Sequence, residues 1–233
     1  MTRLFRFKKF LLHTGASVFP LTTDSVLLGS WSSINTNKRI LDLGTGSGIL
    51  ALMCAQRTEE NCVVTAIDMD PVAVKAATLN FEQSIWHKKL TAFQVDIKEF
   101  CAVELFDSIL CNPPYFISSL LPLNEQKEIQ KHQKKVGFKD LAICFKRNIK
   151  DSGNVFVVIP SNLELELSYH MLSTGFTLKR ICTVQDNADS KPSLVLLNYG
   201  FGIQKFKRET LILKNHSGSY TNQFISLTQD FYL

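Results

Sequence analysis

The stretch that decides the fold is RILDLGTGSGILALMCAQR, residues 39–57. Its first part is a short apolar run of the kind that forms a buried β-strand, and its second part has the length and composition of a helix. Three glycines, Gly44, Gly46 and Gly48, stand between the two parts. A strand that enters a helix through a glycine-rich turn is typical of the ligand-binding edge of an open α/β sheet.

The same alternation of strands and helices continues along the chain. Strands are predicted at VVTAIDMD, LTAFQVD and FDSILCN, and a helix is predicted after Asp70, its N-cap, with Pro71 in the first turn. A capping box from Ser161 to Glu164 predicts the start of a later helix, and Gly175 predicts its end. We therefore predict a doubly wound, Rossmann-like α/β fold with a mostly parallel sheet and an antiparallel C-terminal strand.

Composition limits the classes of protein to be considered. The 233 residues are 45% hydrophobic and no linker divides them, so we predict a single domain over 1–233, with a basic, aromatic extension at 1–35 packed on it. The net charge of +5 suits an anionic partner such as RNA, although many proteins that bind no RNA share it. The six cysteines lack metal-ligand spacing and no apolar run has the length of a membrane span. We predict a cytoplasmic protein with reduced thiols, no metal and no membrane contact.

The glycine loop differs from the common nucleotide-binding fingerprints. Its pattern is G-x-G-x-G, whereas the dinucleotide fingerprint has its third glycine one position later, where this chain has Ile49. No Gly-Lys-Ser/Thr follows the loop, which argues against a P-loop. A dehydrogenase is therefore a weaker interpretation than another kind of nucleoside-binding protein.

Acidic residues stand at the ends of three successive predicted strands. Asp42 precedes the glycine loop, Asp68 closes the second strand and Asp96 closes the third. A carboxylate at such a strand end accepts hydrogen bonds from ribose hydroxyls, and others nearby can accept from an adenine amino group or an ammonium group. The set favours a nucleoside-like, positively charged ligand, and S-adenosyl-L-methionine has all of these groups.

The fourth strand runs into CNPPYF, residues 111–116, which can hold a planar amine. Such an amine is a poor nucleophile because its lone pair is delocalised, and two acceptors that grip its hydrogens turn the lone pair towards an electrophile. The side-chain oxygen of Asn112 and the carbonyl of Pro113 are the two acceptors, Pro113 and Pro114 fix the backbone, and Tyr115 offers a stacking face. The alternative interpretation is a proline turn that only ends the strand.

In order and spacing, these motifs resemble the class I S-adenosylmethionine-dependent methyltransferases. The resemblance implies a seven-stranded sheet and an Asn-Pro-Pro-Tyr turn that directs the methyl group to an amide or amino nitrogen. It implies a cofactor site made of the loop glycines and strand-end residues Asp42, Gly44, Gly46, Gly48, Asp68, Asp96 and Asn112. Within that site, Gly44 and Gly46 are expected at the methionine part, Asp68 at the ribose and Asp96 at the adenine.

Over nearly its full length the sequence is also similar to the bacterial adenine-N6 methyltransferases that act on valine tRNA. FRFKKF, TTDSVLLGSW, NPPYF and SLTQDFYL carry this resemblance. It implies that the methyl acceptor is the exocyclic amine of adenine 37, next to the anticodon, turned out of its stack. One departure is Pro20, which stands near the place where family members have a lysine.

Several residues are predicted to contact the RNA. Arg6 and Lys8 alternate with phenylalanines near the N-terminus, where cations can meet phosphates while bases stack on aromatic rings. An amphipathic edge strand with its phenylalanines buried explains the same pattern. Tyr115, Phe116 and His132, in and after the Asn-Pro-Pro-Tyr turn, are further candidates for substrate contact.

Other functions remain open at this level. The same clamp would serve methylation of a glutamine amide in a protein such as a release factor, or of another base amine in RNA or DNA. A catalytically inactive RNA-binding module would share the fold, although the intact acidic residues and the intact Asn-Pro-Pro-Tyr turn argue against it.

Overall fold

The computed structural model describes residues 3–14, 22–114, 136–203 and 205–232. Within these ranges the α-helices are α1 Thr23–Trp31, α2 Ile49–Arg57, α3 Pro71–Glu82, α4 Phe138–Asn148, α5 Glu164–Ser173 and α6 Asn222–Thr228. The strands are β1 Arg3–Arg6, β2 Leu11–Thr14, β3 Arg39–Leu43, β4 Val63–Asp68, β5 Leu90–Gln94, β6 Phe106–Cys111, β7 Ile149–Pro160, β8 Thr177–Gln185, β9 Leu194–Gly200 and β10 Lys207–Ile212. Short 3₁₀ turns occupy His87–Lys89 and Ser161–Leu163.

Eight strands form one sheet in the order β10-β8-β9-β7-β6-β3-β4-β5. Every neighbouring pair is parallel except those of β9, which runs antiparallel to both β7 and β8. The predicted α/β fold, with a mostly parallel sheet and an antiparallel strand near the C-terminus, is confirmed. The sheet has one strand more than predicted, because β10 pairs in parallel with β8 at the edge of the sheet.

The core has two layers, one on each face of the sheet. Alternate side chains of β3 separate into them: Ile40 packs with α1, α2, α3 and α6, whereas Leu41 and Leu43 pack with α4 and α5. This follows from the two-residue period of a strand, which points successive side chains to opposite faces. The central strands are apolar on both faces because helices cover both.

Strands β1 and β2 form a separate hairpin that packs on the first layer. Phe7 and Phe10 are 3% and 7% exposed, and their rings stack with centroids 4.6 Å apart. Phe7 also stacks on Tyr232 at 6.1 Å, and the backbone nitrogen of Lys8 donates to the carbonyl of Phe231 at 2.9 Å. The amphipathic interpretation is therefore correct for these two rings, and the expectation that they stack on bases is wrong because the core buries them.

One predicted helix cap is confirmed and another is wrong. The Oδ1 atom of Asp70 accepts a hydrogen bond from the backbone nitrogen of Val72 at 2.8 Å, as expected of an N-cap. The predicted capping box at Ser161 does not form, because the Ser161 hydroxyl donates to the carbonyl of Pro192 at 2.6 Å and a 3₁₀ turn precedes α5. Gly175, with φ of +92°, follows the end of α5 as predicted.

Candidate active site

The predicted cofactor-binding residues and Asn112 gather at the carboxyl ends of the parallel strands. Leu43, the last residue of β3, pairs with Ile67 of β4 on one side and with Cys111 of β6 on the other. The glycine loop follows β3, Asp68 ends β4 and Asn112 follows β6, and these three strands are adjacent and parallel. This is the edge at which open α/β sheets bind their ligands.

The glycine loop has open space in front of it. Gly44 and Gly46 have φ of +76° and +55°, in the left-handed region that favours glycine. The backbone nitrogens of Gly44 and Thr45 both donate to the carbonyl of Ile67, at 2.9 and 3.0 Å, which ties the loop to β4. A Cβ atom at Gly44 or Gly46 would meet no atom of the described residues within 4 Å, so a ligand can approach this backbone closely.

Gly48 has a different role from the other two loop glycines. Its φ is +86°, and a Cβ atom there would lie 2.6 Å from a ring carbon of Phe81 and 3.3 Å from the Cα atom of Ala77. The residue therefore permits close contact between the start of α2 and helix α3. The structure gives Gly48 a packing role, and its contact with a cofactor stays a prediction.

Asp68 connects the glycine loop to the end of β4. Its Oδ2 accepts from the backbone nitrogen of Gly46 and its Oδ1 from that of Asp70, both at 3.0 Å. Burial raises the pKa of this half-buried carboxyl, and the two backbone hydrogen bonds oppose the rise. The side chain is thus fixed beside the open face of the loop.

Asp42 lies beneath the loop and has no exposed surface. Its Oδ2 accepts from the Thr45 hydroxyl at 2.6 Å and from the backbone nitrogen of Ala51 at 3.1 Å, while its buried Oδ1 has no hydrogen-bond partner among the described residues. Burial raises its pKa from 3.8 to about 7, and the charge of Asp68 adds to the rise. The structure shows Asp42 supporting the loop from below, and its contact with a ligand stays a prediction.

Asp96 is fixed in a turn two residues beyond the end of β5. Its Oδ1 accepts from the backbone nitrogen of Lys98 at 2.9 Å, and its side chain is half-buried. Arg147 of α4 donates to the carbonyls of Ile97 and Lys98, at 2.8 and 3.1 Å, which anchors the turn. The turn places a carboxylate next to the ends of β4 and β5, as the sequence predicts.

Asn112 follows β6 and is held by a residue that sequence reasoning missed. Its Nδ2 donates to the hydroxyl of Ser25, in α1, at 2.9 Å. Pro113 is buried and Pro114 is exposed. Ser25 lies within TTDSVLLGSW, which carried part of the family resemblance, but nothing local to Asn112 points to it.

A second missed residue is Asn80, which is 1% exposed. Its Nδ2 donates to the carbonyls of Ser47 and His13, at 2.8 and 2.9 Å, and its Oδ1 accepts from the backbone nitrogen of His13 at 2.8 Å. One amide therefore binds the N-terminal hairpin to the glycine loop. No sequence signal indicated this contact, because the burial of Asn80 is visible only in the structure.

The residues predicted to contact RNA are not all brought to this edge. Arg6 and Lys8 are exposed, and Lys8 Nζ donates to the carbonyl of Gln229 at 2.6 Å. Gln56, near the end of α2, donates through Nε2 to the carbonyl of Asp230, the residue after Gln229, at 2.7 Å. Helix α2 begins at the glycine loop, by the carboxyl ends of the strands, and therefore ends near their amino ends. Lys8, which lies near the end of α2, is thus remote from Asn112. The predictions for Tyr115, Phe116, His132 and Pro20 fall outside the described residues.

The residues at the carboxyl edge fit S-adenosylmethionine. The space in front of Gly44 and Gly46 admits a ligand against the backbone. Burial raises the pKa values of Asp42 and Asp68 because it disfavours their ionised forms, and a cationic ligand nearby would stabilise those forms. Among the described residues no group of three or more histidine, cysteine or acidic side chains could hold a metal ion, and no helix has the length and apolar composition to cross a membrane.

Comparison with known proteins gives a consistent family. A family model described as the methyltransferase small domain matches residues 22–177. The tRNA1(Val) (adenine(37)-N6)-methyltransferase of Haemophilus influenzae strain PittGG is 35% identical over 98% of both chains. The protein of the same name from Vibrio parahaemolyticus is 35% identical and covers 100% of this chain and 96% of its own.

Solved structures resemble the fold at low sequence identity. A "predicted O-methyltransferase" from Agrobacterium tumefaciens has a TM-score of 0.70 and 17% identity, with 89% of this chain and 96% of the other covered. An N-methyltransferase from Bradyrhizobium japonicum has a TM-score of 0.53 and 14% identity, covering 76% and 93%. At such identities the likeness establishes the methyltransferase fold alone.

Proposed function

The chain belongs to the methyltransferase small-domain family and, through its full-length relatives, to the family of tRNA1(Val) (adenine(37)-N6)-methyltransferases. From this membership we propose that it transfers a methyl group from S-adenosylmethionine to the exocyclic amine of adenine 37 in a valine tRNA. Its macromolecular partner is then the anticodon stem-loop, and its place is the cytoplasm.

The cofactor half of the site consists of the glycine loop, Asp68 and Asp96. When bound, S-adenosylmethionine supplies a methyl group that is electrophilic because it is attached to a sulfonium. Gly44 and Gly46 give it access to the backbone, Asp68 accepts hydrogen bonds from ribose hydroxyls, and Asp96 accepts from the adenine amino group. The buried carboxylate of Asp42 stabilises the positive charge from behind the loop.

The acceptor half of the site is the turn at residues 112–114. The side-chain oxygen of Asn112 and the carbonyl of Pro113 accept the two hydrogens of the substrate amine, so that its lone pair leaves the plane of the base. The two prolines fix φ, and little backbone freedom is lost on binding. No general base is assigned, because the proton on the nitrogen becomes acidic once the nitrogen has been alkylated.

The observation that supports this function most strongly is the position of Asn112. It follows β6, whose neighbour β3 leads directly into the open glycine loop. An acceptor for an amine therefore lies one strand away from a nucleoside-like site. That adjacency is what methyl transfer to a planar nitrogen needs.

A transfer assay with labelled cofactor tests the proposal. Valine tRNA from cells that lack the gene is offered beside the same tRNA with guanine at position 37, and beside a release factor. We expect label only in the first substrate, recovered as N6-methyladenosine by mass spectrometry of the digested RNA. Label in the release factor, or equal label in both tRNAs, would contradict the proposed function.

Calorimetry with S-adenosylmethionine separates the enzyme from an inactive RNA-binding module. The enzyme is expected to bind the cofactor in the absence of RNA, because the glycine loop and the acidic residues are already in place. Binding of tRNA without any binding of cofactor would favour the module, and binding of a nicotinamide dinucleotide instead would favour a dehydrogenase.

A further inference from the structure

We propose that Ser25 is a positioning residue for methyl transfer: its hydroxyl fixes the orientation of the Asn112 amide, so that the oxygen of this amide faces the substrate amine. The inference rests on the proposed function, since it concerns the same site. It assigns a role in catalysis to helix α1, which contributes neither to the glycine loop nor to the Asn-Pro-Pro-Tyr turn.

An asparagine amide needs a partner to fix its orientation. Its oxygen and nitrogen ends have nearly the same size and opposite chemistry, so packing alone does not distinguish them. If the amide rotates by half a turn, an NH₂ group meets the hydrogens of the substrate amine and no acceptor remains on the side chain. Asn112 Nδ2 donates to Ser25 Oγ at 2.9 Å. Because the oxygen and the nitrogen of an amide point in different directions, this bond leaves the Asn112 oxygen directed away from Ser25 and towards the substrate amine.

The chemistry of Ser25 suits the role of acceptor. The oxygen of a serine hydroxyl accepts hydrogen bonds through its lone pairs, and that of Ser25 accepts from Asn112 Nδ2. Ser25 lies in the first turn of α1 and is only 7% exposed, so water competes little for those lone pairs. A hydrogen bond shielded in this way is stronger than one in open water.

Helix α1 is rigidly held, and Ser25 therefore stays in place. The three residues that follow, Val26, Leu27 and Leu28, have no exposed surface. At the other end of the helix, Arg57 donates to the carbonyls of Gly29 and Ser30. In addition, the guanidinium of Arg180 lies 4.1 Å from the centre of the Trp31 ring. The Ser25 hydroxyl therefore keeps a fixed position from which it can orient the Asn112 amide.

Three variants test the proposal by steady-state kinetics on valine tRNA. Ser25→Ala removes the acceptor, Ser25→Thr keeps it, and Ser32→Ala is the matched control. Ser32 is a fully buried serine at the end of the same helix, whose hydroxyl donates to the carbonyl of Leu28 at 2.7 Å. Removing it costs a buried hydrogen bond of α1 without affecting Asn112.

We expect Ser25→Ala to lower kcat roughly 10- to 100-fold, as misplacement of a reacting group does, with the Kd of the cofactor unchanged. Ser25→Thr should restore most of kcat. Ser32→Ala should lower the melting temperature and leave kcat intact. Unchanged kcat in Ser25→Ala, or the same loss of kcat in Ser32→Ala, would overturn the proposal.

Repeating Ser25→Ala in an Asn112→Asp variant tests whether Ser25 acts by orienting the side chain of residue 112 or only by stabilising the structure around it. A carboxylate presents an acceptor oxygen at both ends, so its half-turn has no chemical consequence. Ser25→Ala should therefore reduce single-turnover methylation much less in that background than in the unaltered enzyme. Equal losses in the two backgrounds would show that Ser25 acts through structure alone.

The two proposals fail in distinguishable ways. If the unaltered enzyme methylates tRNA and Ser25→Ala methylates it equally fast, the positioning role is wrong and the function stands. If the unaltered enzyme methylates a glutamine amide instead, the proposed function is wrong. The same three variants are then compared on that amide, because it needs the same acceptor from Asn112.

Discussion

The glycine loop and the Asn112 turn follow neighbouring strands, yet they are held in place in different ways. The loop is fixed by residues close in sequence: Gly46 binds Asp68, 22 positions later, and Asp42 binds atoms only 3 and 9 positions away. The amide nitrogen of Asn112 binds Ser25, which lies 87 positions earlier. The glycine loop and Asp68 thus belong to one β-α-β segment, with Asp96 added from the turn after β5, whereas the acceptor half depends on a long-range contact. The two halves should therefore be separable by mutation.

The largest separation is expected from Asn112→Ala. Removal of an acceptor that acts on the reacting group should lower kcat by about 10³-fold, as does the loss of a single group that stabilises a transition state. The Kd of the cofactor, measured by calorimetry, should stay within about 2-fold because the glycine loop is untouched. If the Kd weakened as much as kcat falls, the two halves would not be independent.

A change in the cofactor half should act the other way. Asp68→Ala removes an acceptor for ribose hydroxyls and for the backbone nitrogen of Gly46. We expect the Kd of the cofactor to rise about 10- to 100-fold, the value of one to two charge-assisted hydrogen bonds, with a smaller change in kcat at saturating cofactor. The matched control is Asp70→Ala, which removes the N-cap of α3. This control should cost about 1 kcal/mol of stability and leave the Kd unchanged.

The pH dependence of cofactor affinity sharpens the same distinction. The pKa of Asp42 is raised to about 7 by burial, so its carboxyl is mostly protonated at pH 6 and mostly ionised at pH 8. A cationic ligand binds the ionised form better, and affinity should therefore rise up to about 10-fold over that interval. Calorimetry across the pH series measures this rise, and Asp42→Asn should flatten it. A rise that persists in Asp42→Asn would assign the titration to another group.

The smallest effect is expected from Lys8→Ala. Lys8 binds the carbonyl of Gln229 at the edge of the sheet opposite Asn112. We expect kcat/KM for tRNA to stay within about 2-fold, and the free energy of unfolding to fall by about 1 kcal/mol at most, the usual value of a hydrogen bond. A large rise in KM for tRNA would extend the acceptor half to the N-terminal hairpin and restore Lys8 as an RNA contact.

The parts of the molecule that were predictable depend on local patterns. Each of these patterns spans only a few consecutive residues: the strand that enters the glycine loop, the Asp70 cap and the acidic strand ends. A parallel sheet brings the carboxyl ends of consecutive strands together, so the position of the site could be predicted from these local patterns.

The parts that were missed depend on distant partners. The Ser161 hydroxyl has the sequence of a capping box, but the carbonyl of Pro192 competes for it. Gly48 has the same spacing as the other loop glycines, and only the ring of Phe81 distinguishes its role. Nothing near Ser25 in the sequence indicates its contact, because its partner Asn112 lies 87 positions later.

The contact between the two ends of the chain has a consequence for biosynthesis. The carbonyl that binds Lys8 belongs to Gln229, 221 positions later in the chain. The ring of Phe7 stacks on that of Tyr232, which comes later still. While the nascent chain is still being translated, the hairpin therefore carries uncovered phenylalanine rings. The hairpin can bind Asn80 early through His13, but its contacts with residues 229–232 form only after those residues have been translated.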